Sequence, residues 1–302
     1  MASEVTILIP TCNRPEALAA CLRLLVPQLP PDDSVGVIVC DDGDKTETRD
    51  MLARDFPFAA RIPGPRRGPG ANRNAGAVAA RGRWIIFLDD DVLPHPGFLA
   101  CYLAAIEDPR TDDCVLVGAT FRSGENTGSM LWESPHYAGT DVLPPSCNFA
   151  ISREAFITQG GFDERFRISF EDMEFFSRLK LAGVPVHYLQ GAAVDHPVRP
   201  LPPAGSLASR WEARVISAFD AGAGSFGLVW RLPKHVFMVI LSRFRGRKIC
   251  AESIRAAGLF AGEFFITLAC LPGWLLKYRA LPRSRFWADH VDKGNGPPHF
   301  GL

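Results

Sequence analysis

No CxxC pair occurs among the 8 cysteines of this 302-residue chain. Cysteines that ligate zinc or staple a small secreted domain come at paired or regular spacings, and these do not. Several sit inside apolar runs, such as Cys40 and Cys270, and read as reduced core thiols. The opening residues lack a basic stretch followed by a long apolar one, so no secretory signal is expected and the expected setting is cytosolic. No GxGxxG follows the first apolar run, which argues against a dinucleotide-dependent oxidoreductase. Internal repeats and low-complexity tracts are missing as well. What remains is a chain of ordinary globular composition, long enough for one large domain or two modest ones.

Net charge is also lacking, since 33 Lys+Arg balance 33 Asp+Glu. The balance hides a division. Residues 1–200 hold 19 basic against 27 acidic side chains, whereas residues 201–302 hold 14 against 6. A basic surface suits anionic lipid or nucleic acid. The basic residues of the last third flank a hydrophobic segment without the aromatic interleaving of a single-strand-binding platform, so nucleic acid is not expected as a partner.

What the chain does have is FLDDDVLPHP at residues 87–96. The apolar run 84–88 reads as a buried strand, and it stops at Asp89, Asp90 and Asp91. Carboxylates crowded at a strand end repel one another unless a cation sits among them. Hard divalent ions take carboxylate oxygens, often only one or two, with substrate phosphates completing the shell. Three carboxylates alone fit a metal–diphosphate site and a solvated acidic turn equally well.

The preceding chain supplies a frame for them. Residues 5–9 and 35–40 are β-branched apolar runs that read as buried strands, the second ending at Asp41 and Asp42. Between them, Leu18, Cys21, Leu22 and Leu25 share one helical face, and Asn13 with Glu16 forms a capping-box pattern. Residues 64–76, rich in Gly, Pro and Arg, lead into a small-residue helix at 74–80. Further strands are expected at 115–117, 148–151 and 184–189. A short helix at 153–159 would be capped by Ser152, and a helix opening at Glu171-Asp172 would carry Met173, Phe176 and Leu179 on one face. His196-Pro197 begins a proline-rich loop, taken as the end of a first domain. Strand–helix alternation with polar strand ends predicts an α/β domain with a mainly parallel sheet, which binds ligands beyond the carboxyl ends of its strands.

Taken in order, VTILIPTCNRP, VIVCDDG, GPGANRNAG, IIFLDDDVLPHPGFL, CNFAISREAFITQGGFDERF, EDMEFFSRLKLAG and VDHP resemble a glycosyltransferase family 2 enzyme over roughly residues 5–197. The resemblance implies a GT-A fold, a Rossmann-like mainly parallel sheet sandwiched by helices. It implies inverting transfer of a sugar from a nucleotide-diphosphate donor, with Mg²⁺ or Mn²⁺. By the same resemblance Pro10 and Thr11 line the nucleotide pocket, Asp42 binds the nucleoside, and Arg73 meets the base or the diphosphate. Asp89 and Asp91 match the DxD motif, with Asp91 the direct metal ligand and Asp89 or Asp90 meeting ribose or a metal-bound water. Asp172 matches the catalytic base, beside Glu171, which also suits a helix N-terminus on its own. His196 matches a histidine that serves as a further metal ligand or is simply packed by its proline. Asp41 and Asp42 fit a turn as well as a nucleoside site. Arg66 and Arg67 read as surface arginines, His95 as structural, Asp163 as shaping the acceptor loop, and Trp132 and His136 as an acceptor wall.

The last third is expected to be a helical extension over 198–292, with a flexible tail at 293–302. Residues 254–276 are long and apolar enough to span a bilayer. Glu263 near the middle argues against a simple span, at a cost of roughly 2.5–3.5 kcal/mol. So do the basic clusters at both ends: Arg243, Arg245, Arg247 and Lys248 before, and Lys277, Arg279, Arg283 and Arg285 after. An interfacial or re-entrant helix keeps both clusters at an anionic inner membrane face. A helical subdomain packed on the core fits the same pattern. Arg210-Trp211 resembles the pair of processive polysaccharide synthases, but Leu207 stands where their glutamine would. Membrane contact is thus expected through residues 230–285, with a saccharide or lipid-linked acceptor. A nucleotidyltransferase would leave Asp172 without a role, and a silent binding scaffold would need neither Asp91 nor Asp172.

Overall fold

The structure, a computed structural model, describes residues 4–139, 142–220 and 223–280. The tail expected at 293–302, and Arg283 and Arg285, lie outside the described residues.

The chain opens with β1 (Val5–Thr11), α1 (Pro15–Leu25), β2 (Val35–Asp41), α2 (Glu47–Asp55), β3 (Ala60–Pro63), α3 (Pro69–Ala79) and β4 (Trp84–Leu88). A short β5 (Leu93–Pro94), α4 (Phe98–Ile106), β6 (Val115–Ser123), β7 (Trp132–Glu133), β8 (Asn148–Ser152), α5 (Arg153–Thr158), α6 (Glu171–Leu181) and β9 (Val186–Pro197) follow. β10 (Arg199–Pro200), α7 (Ala204–Ser209), α8 (Glu212–Asp220), α9 (Ser225–Phe244) and α10 (Ala251–Tyr278) complete the described chain. The main sheet has 8 strands in the order β3-β2-β1-β4-β8-β6-β9-β5, and β7 pairs with β10 in a separate ribbon. The run β3-β2-β1-β4 is parallel, as is β6 with β9, while β8 runs antiparallel to both its neighbours and β5 antiparallel to β9. The mainly parallel α/β sheet predicted from the sequence is present.

Both faces of this sheet are covered, because alternate residues of each strand face opposite sides. Ile7, Ile9, Trp84, Ile86 and Leu88 pack with α1 and α4. Leu8, Ile85, Phe87, Phe149 and Ile151 pack against α5 and α6. Each such side chain contributes roughly 1.5–3 kcal/mol when fully buried. The second face is an aromatic raft: Phe87 stacks on Phe149 at 4.6 Å, and Phe162 lies 4.7 Å from Phe175. α3 reaches the sheet through Gly76, where any Cβ would collide with Leu8.

Several local expectations change. The capping box at Asn13 and Glu16 does not form, because Asn13 Nδ2 donates instead to Asp44 across the cleft floor (2.9 Å) and Arg14 takes the N-cap position. Ser152 does cap its helix, accepting from Ala155 N–H at 3.2 Å. Met173 is exposed, and the buried face of α6 is Phe175, Phe176 and Leu179. β9 extends through His196 and Pro197, which pair with Arg122 and Ser123, so these two residues end a strand and do not begin a loop.

Beyond β10 the helices share a third core. Trp211, Val215, Leu228, Leu232, Val236, Leu271 and Trp274 cluster with Phe166, and Phe170 packs on them from the cleft side. Leu207, Ala256 and Phe260 form a smaller group with Met130 and Leu131. Glu252, in the first turn of α10, accepts from Ser129 Oγ and Met130 N–H, both at 2.6 Å.

Candidate active site

A cleft of ≈ 1030 Å³ opens at the carboxyl ends of β1, β2 and β4. Its floor carries the ends of these strands, and its far wall comes from the N-terminus of α6, the end of β9 and the β7–β10 ribbon. Polar groups collect there because each strand's apolar run stops at the same edge.

On the nucleotide side, Asn72 of α3 donates to Cys40 C=O at 2.8 Å and to Thr11 C=O at 3.4 Å, which holds β1 and β2 at a fixed spacing. Asp41 is consumed by the fold: its carboxylate accepts from Gly43 N–H and from Arg61 Nε, each at 2.9 Å. Asp42 lines the cleft and accepts from Arg66 N–H at 2.7 Å. Burial pushes the Asp42 carboxyl up, against the N–H hydrogen bonds of Arg66 and Gly68. Gly68 has φ of 101° and its α-carbon lies against the backbone of Arg167, so no side chain fits there. Arg66 is exposed but lines the cleft, and its guanidinium donates to Gly43 C=O at 3.2 Å.

The three aspartates after β4 separate by environment. Asp90 is fully buried and absent from the cleft wall. It accepts from Thr11 Oγ1 at 2.6 Å and pairs with Arg14 at 2.5 Å. The expectation that Asp90 meets the ribose therefore gives way: it braces β1 against the β4 turn. Burial pushes the Asp90 carboxyl up to about 7, against the Arg14 charge. Asp89 and Asp91 do line the cleft. Arg73, itself buried over the Phe162 ring at 5.5 Å, donates to Asp89 Oδ1 at 2.5 Å and to Glu171 at 3.1 Å. Burial pushes Asp89 up, but the Arg73 charge and hydrogen bond outweigh it and leave Asp89 below its ordinary value. Arg14 and Arg199 both reach Oδ2 of Asp91, at 2.7 and 3.3 Å.

The other oxygen of Asp91, Oδ1, faces His196 Nε2 at 3.4 Å. His196 is 3% exposed. Its Nδ1 lies 3.2 Å from Pro197 C=O. A carbonyl can only accept, so this contact suits a proton on Nδ1 and leaves Nε2 as the nitrogen that faces Asp91. Ligand atoms of Asp89, Asp91 and His196 lie within 4.8 Å of one another. Two carboxylates oriented by arginines, and one imidazole beside them, fit a divalent ion.

Glu171 and Asp172 open α6, turned into the cleft by Phe170, which adopts φ of 81° at the N-cap. That left-handed conformation costs about 1–2 kcal/mol for a residue with a Cβ. The Phe170 ring is held 5.8 Å from Phe166 and 4.5 Å from the Arg214 guanidinium. Asp172 is half-buried, and its Oδ1 accepts from Met173 N–H at 2.7 Å. Burial pushes both carboxyls up; with the Asp172 charge beside it, Glu171 reaches about 7. Pro10 and Thr11 complete the floor.

The opposite wall was less visible in the sequence. Glu133 of β7 binds Arg210 through both oxygens, at 2.7 and 2.5 Å, and Arg199 lies 3.9 Å away. Trp132 pairs across the ribbon with Pro200. His95 lies outside the cleft, 3.0 Å from Asp195, and Asp163 holds Arg165. No sequence spacing marks Arg14, Glu133 or Arg199 as cleft residues, because each meets its partner only through the sheet order.

A mainly parallel α/β sheet with a carboxylate–imidazole group at its carboxyl edge defines a GT-A-type protein, and the solved structures it resembles share that fold. S. aureus TarS 1-349 superposes with a TM-score of 0.56 at 17% identity, over 91% of this chain and 89% of that one. GalNAc-T7, solved with UDP, GalNAc and Mn²⁺, superposes with a TM-score of 0.55 at 17% identity, over 70% of this chain and 47% of that one. The chain belongs to glycosyl transferase family 2, whose family model matches residues 6–166. A pre-mycofactocin glycosyltransferase of Mycobacterium tuberculosis is 31% identical over 208 residues, which is 64% of this chain and 42% of that protein.

Proposed function

We propose that the protein transfers a sugar, with inversion, from a nucleoside-diphosphate sugar to a hydroxyl of a saccharide or lipid-linked acceptor. One observation carries this reading: Arg73 ties Asp89, on the metal side, to Glu171, on the base side, at 2.5 and 3.1 Å. Ion-binding and proton-accepting groups are thereby held in one cleft. The UDP and Mn²⁺ in the GalNAc-T7 structure support the donor class.

In this reading Asp42 accepts hydrogen bonds from the nucleoside, beside Pro10 and Thr11. Asp89, Asp91 and His196 would hold Mg²⁺ or Mn²⁺, which supplies positive charge to the leaving diphosphate. Asp172 takes the acceptor proton as that oxygen bonds to the anomeric carbon and the bond to the diphosphate breaks on the opposite face. The Arg73 charge opposes the effect of burial on Asp172, and Glu171 pairs with that Arg73 at 3.1 Å. Residues 1–197 form the catalytic domain, the described residues beyond it carry helices α7 to α10, and the protein sits in the cytoplasm, peripheral to the inner face of the cell membrane. Support for the last point is that α10 is long and apolar enough to cross a membrane.

The test is a thermal-shift panel of UDP-, GDP-, dTDP- and CMP-sugars with and without Mn²⁺, on wild type and Asp91→Ala. The expected result is a metal-dependent shift with one nucleotide class, absent in Asp91→Ala, and release of a nucleoside diphosphate on turnover. Release of pyrophosphate, or no shift with any donor, would overturn the proposal.

A further inference from the structure

α9 and α10 turn a continuous apolar surface outward. On α9, Phe226, Trp230, Phe237 and Leu241 fall within about 60° of one another around the helix axis. On α10, Ile254, Ala261, Phe265 and Leu276 do the same. Phe226 is 82% exposed, Trp230 69% and Phe265 67%. The two stripes meet, because the Phe237 ring lies 6.0 Å from Phe264, and Phe264 lies 5.6 Å from Phe265. Four large rings facing water are costly unless something covers them.

The charges around the surface identify the cover. Residues 225–280 hold nine Lys+Arg against two Asp+Glu. Both acids are occupied elsewhere. Glu252 is bound to Ser129 and Met130. Glu263 points inward, 2% exposed, accepting from Trp211 Nε1 at 2.7 Å and from Arg243 at 3.3 Å. The mid-helix acid that argues against a simple span in the sequence is therefore withdrawn from the outer face. Lys234 flanks the α9 stripe, and Arg245, Arg247 and Lys248 are exposed just beyond it.

We infer that this face docks flat onto an anionic phospholipid surface, with the aromatic stripe in the headgroup–acyl boundary and the basic side chains on the phosphates. The inference rests on the peripheral association proposed above and gives it a face and a mode. Spanning is disfavoured because the other side of α10 is core: Ala256, Phe260, Thr267, Leu271 and Tyr278 are buried against the protein. A second copy is disfavoured because a two-fold pairing would set basic against basic.

Co-sedimentation with vesicles of pure phosphatidylcholine, and of equal parts phosphatidylcholine and phosphatidylglycerol, tests the inference. The full chain is compared with Phe226→Ser/Trp230→Ser/Phe265→Ser and with Lys234→Glu/Arg245→Glu/Lys248→Glu. Wild type should bind the anionic vesicles, less so in high salt, and each triple variant should bind at least about tenfold more weakly. Unfolding temperature and the Mn²⁺ shift should not change in either variant, so a failure of lipid docking is distinct from a failure of the catalytic reading. Three results overturn the inference: no lipid binding, binding that resists alkaline carbonate extraction as a span would, or a concentration-dependent dimer dispersed by the apolar variant.

Discussion

His196 Nε2 lies 3.4 Å from Asp91 Oδ1, although Asp91 sits in the turn after β4 and His196 near the end of β9, strands on opposite sides of the antiparallel β8. The pair is oriented from behind, His196 by the Pro197 carbonyl and Asp91 by Arg14 and Arg199.

Ligands held this way should bind manganese as a set. Asp91→Ala should abolish Mn²⁺ binding measured by isothermal titration. His196→Ala should weaken it by about 10–100-fold and erase the preference for Mn²⁺ over Mg²⁺. Equal affinities in wild type and His196→Ala would remove the imidazole from the site.

Asp172→Asn should keep donor and Mn²⁺ thermal shifts while transfer falls by about 10²–10⁴. Normal turnover in that variant would exclude Asp172 as the base.

Acid sensitivity should follow from the same carboxyls. A base works ionised, and burial raises Asp172, so the acidic limb of kcat should lie above the ordinary carboxylate range and not near pH 4. Stability moves in the opposite direction. Glu171, raised to about 7 when folded, favours the folded state fully below its ordinary value, and that contribution is lost as pH rises through about 7. Glu171→Gln should therefore gain in melting temperature relative to wild type between about pH 5 and about pH 8. A pH-independent difference would refute the raised carboxyl.

Glu263 holds two partners inside the helical region, so Glu263→Ala should cost about 1–3 kcal/mol in denaturant unfolding by leaving the Trp211 N–H without its acceptor. Mn²⁺ affinity should survive. Loss of both together would mean that the helices and the cleft unfold as one unit.

Much of the frame was legible because buried parallel strands announce themselves. Residues 84–88 are apolar throughout and end in charge, and the strand has those bounds. Shorter elements escaped. β3 is half-exposed with a mixed pattern, β5 has two residues, and α4 is apolar nearly all round and shows no clear face. At the site, motif order brought Asp42, Arg73, Asp89, Asp91, Glu171, Asp172 and His196 to one cleft. Asp90 went the other way for a reason of periodicity: consecutive residues leaving a strand point to opposite sides, so the middle aspartate turns into the protein. Arg14 could not be foreseen as its partner, since nothing local in NRP indicates a carboxylate brought in from the end of β4.

The pairing of β9 has a consequence for how the chain reaches this state. His196 stands opposite Arg122, and Asp195 opposite both Phe121 and Leu93, beyond an irregularity between Gly118 and Thr120. A slip of one residue along β6 would rotate the imidazole to the far side and present its neighbour instead. Only correctly threaded chains would then complete the ion's shell, and mass action would draw misaligned ones back. Manganese present during refolding would act as a gauge of strand alignment, raising the yield of native chains before any sugar is bound.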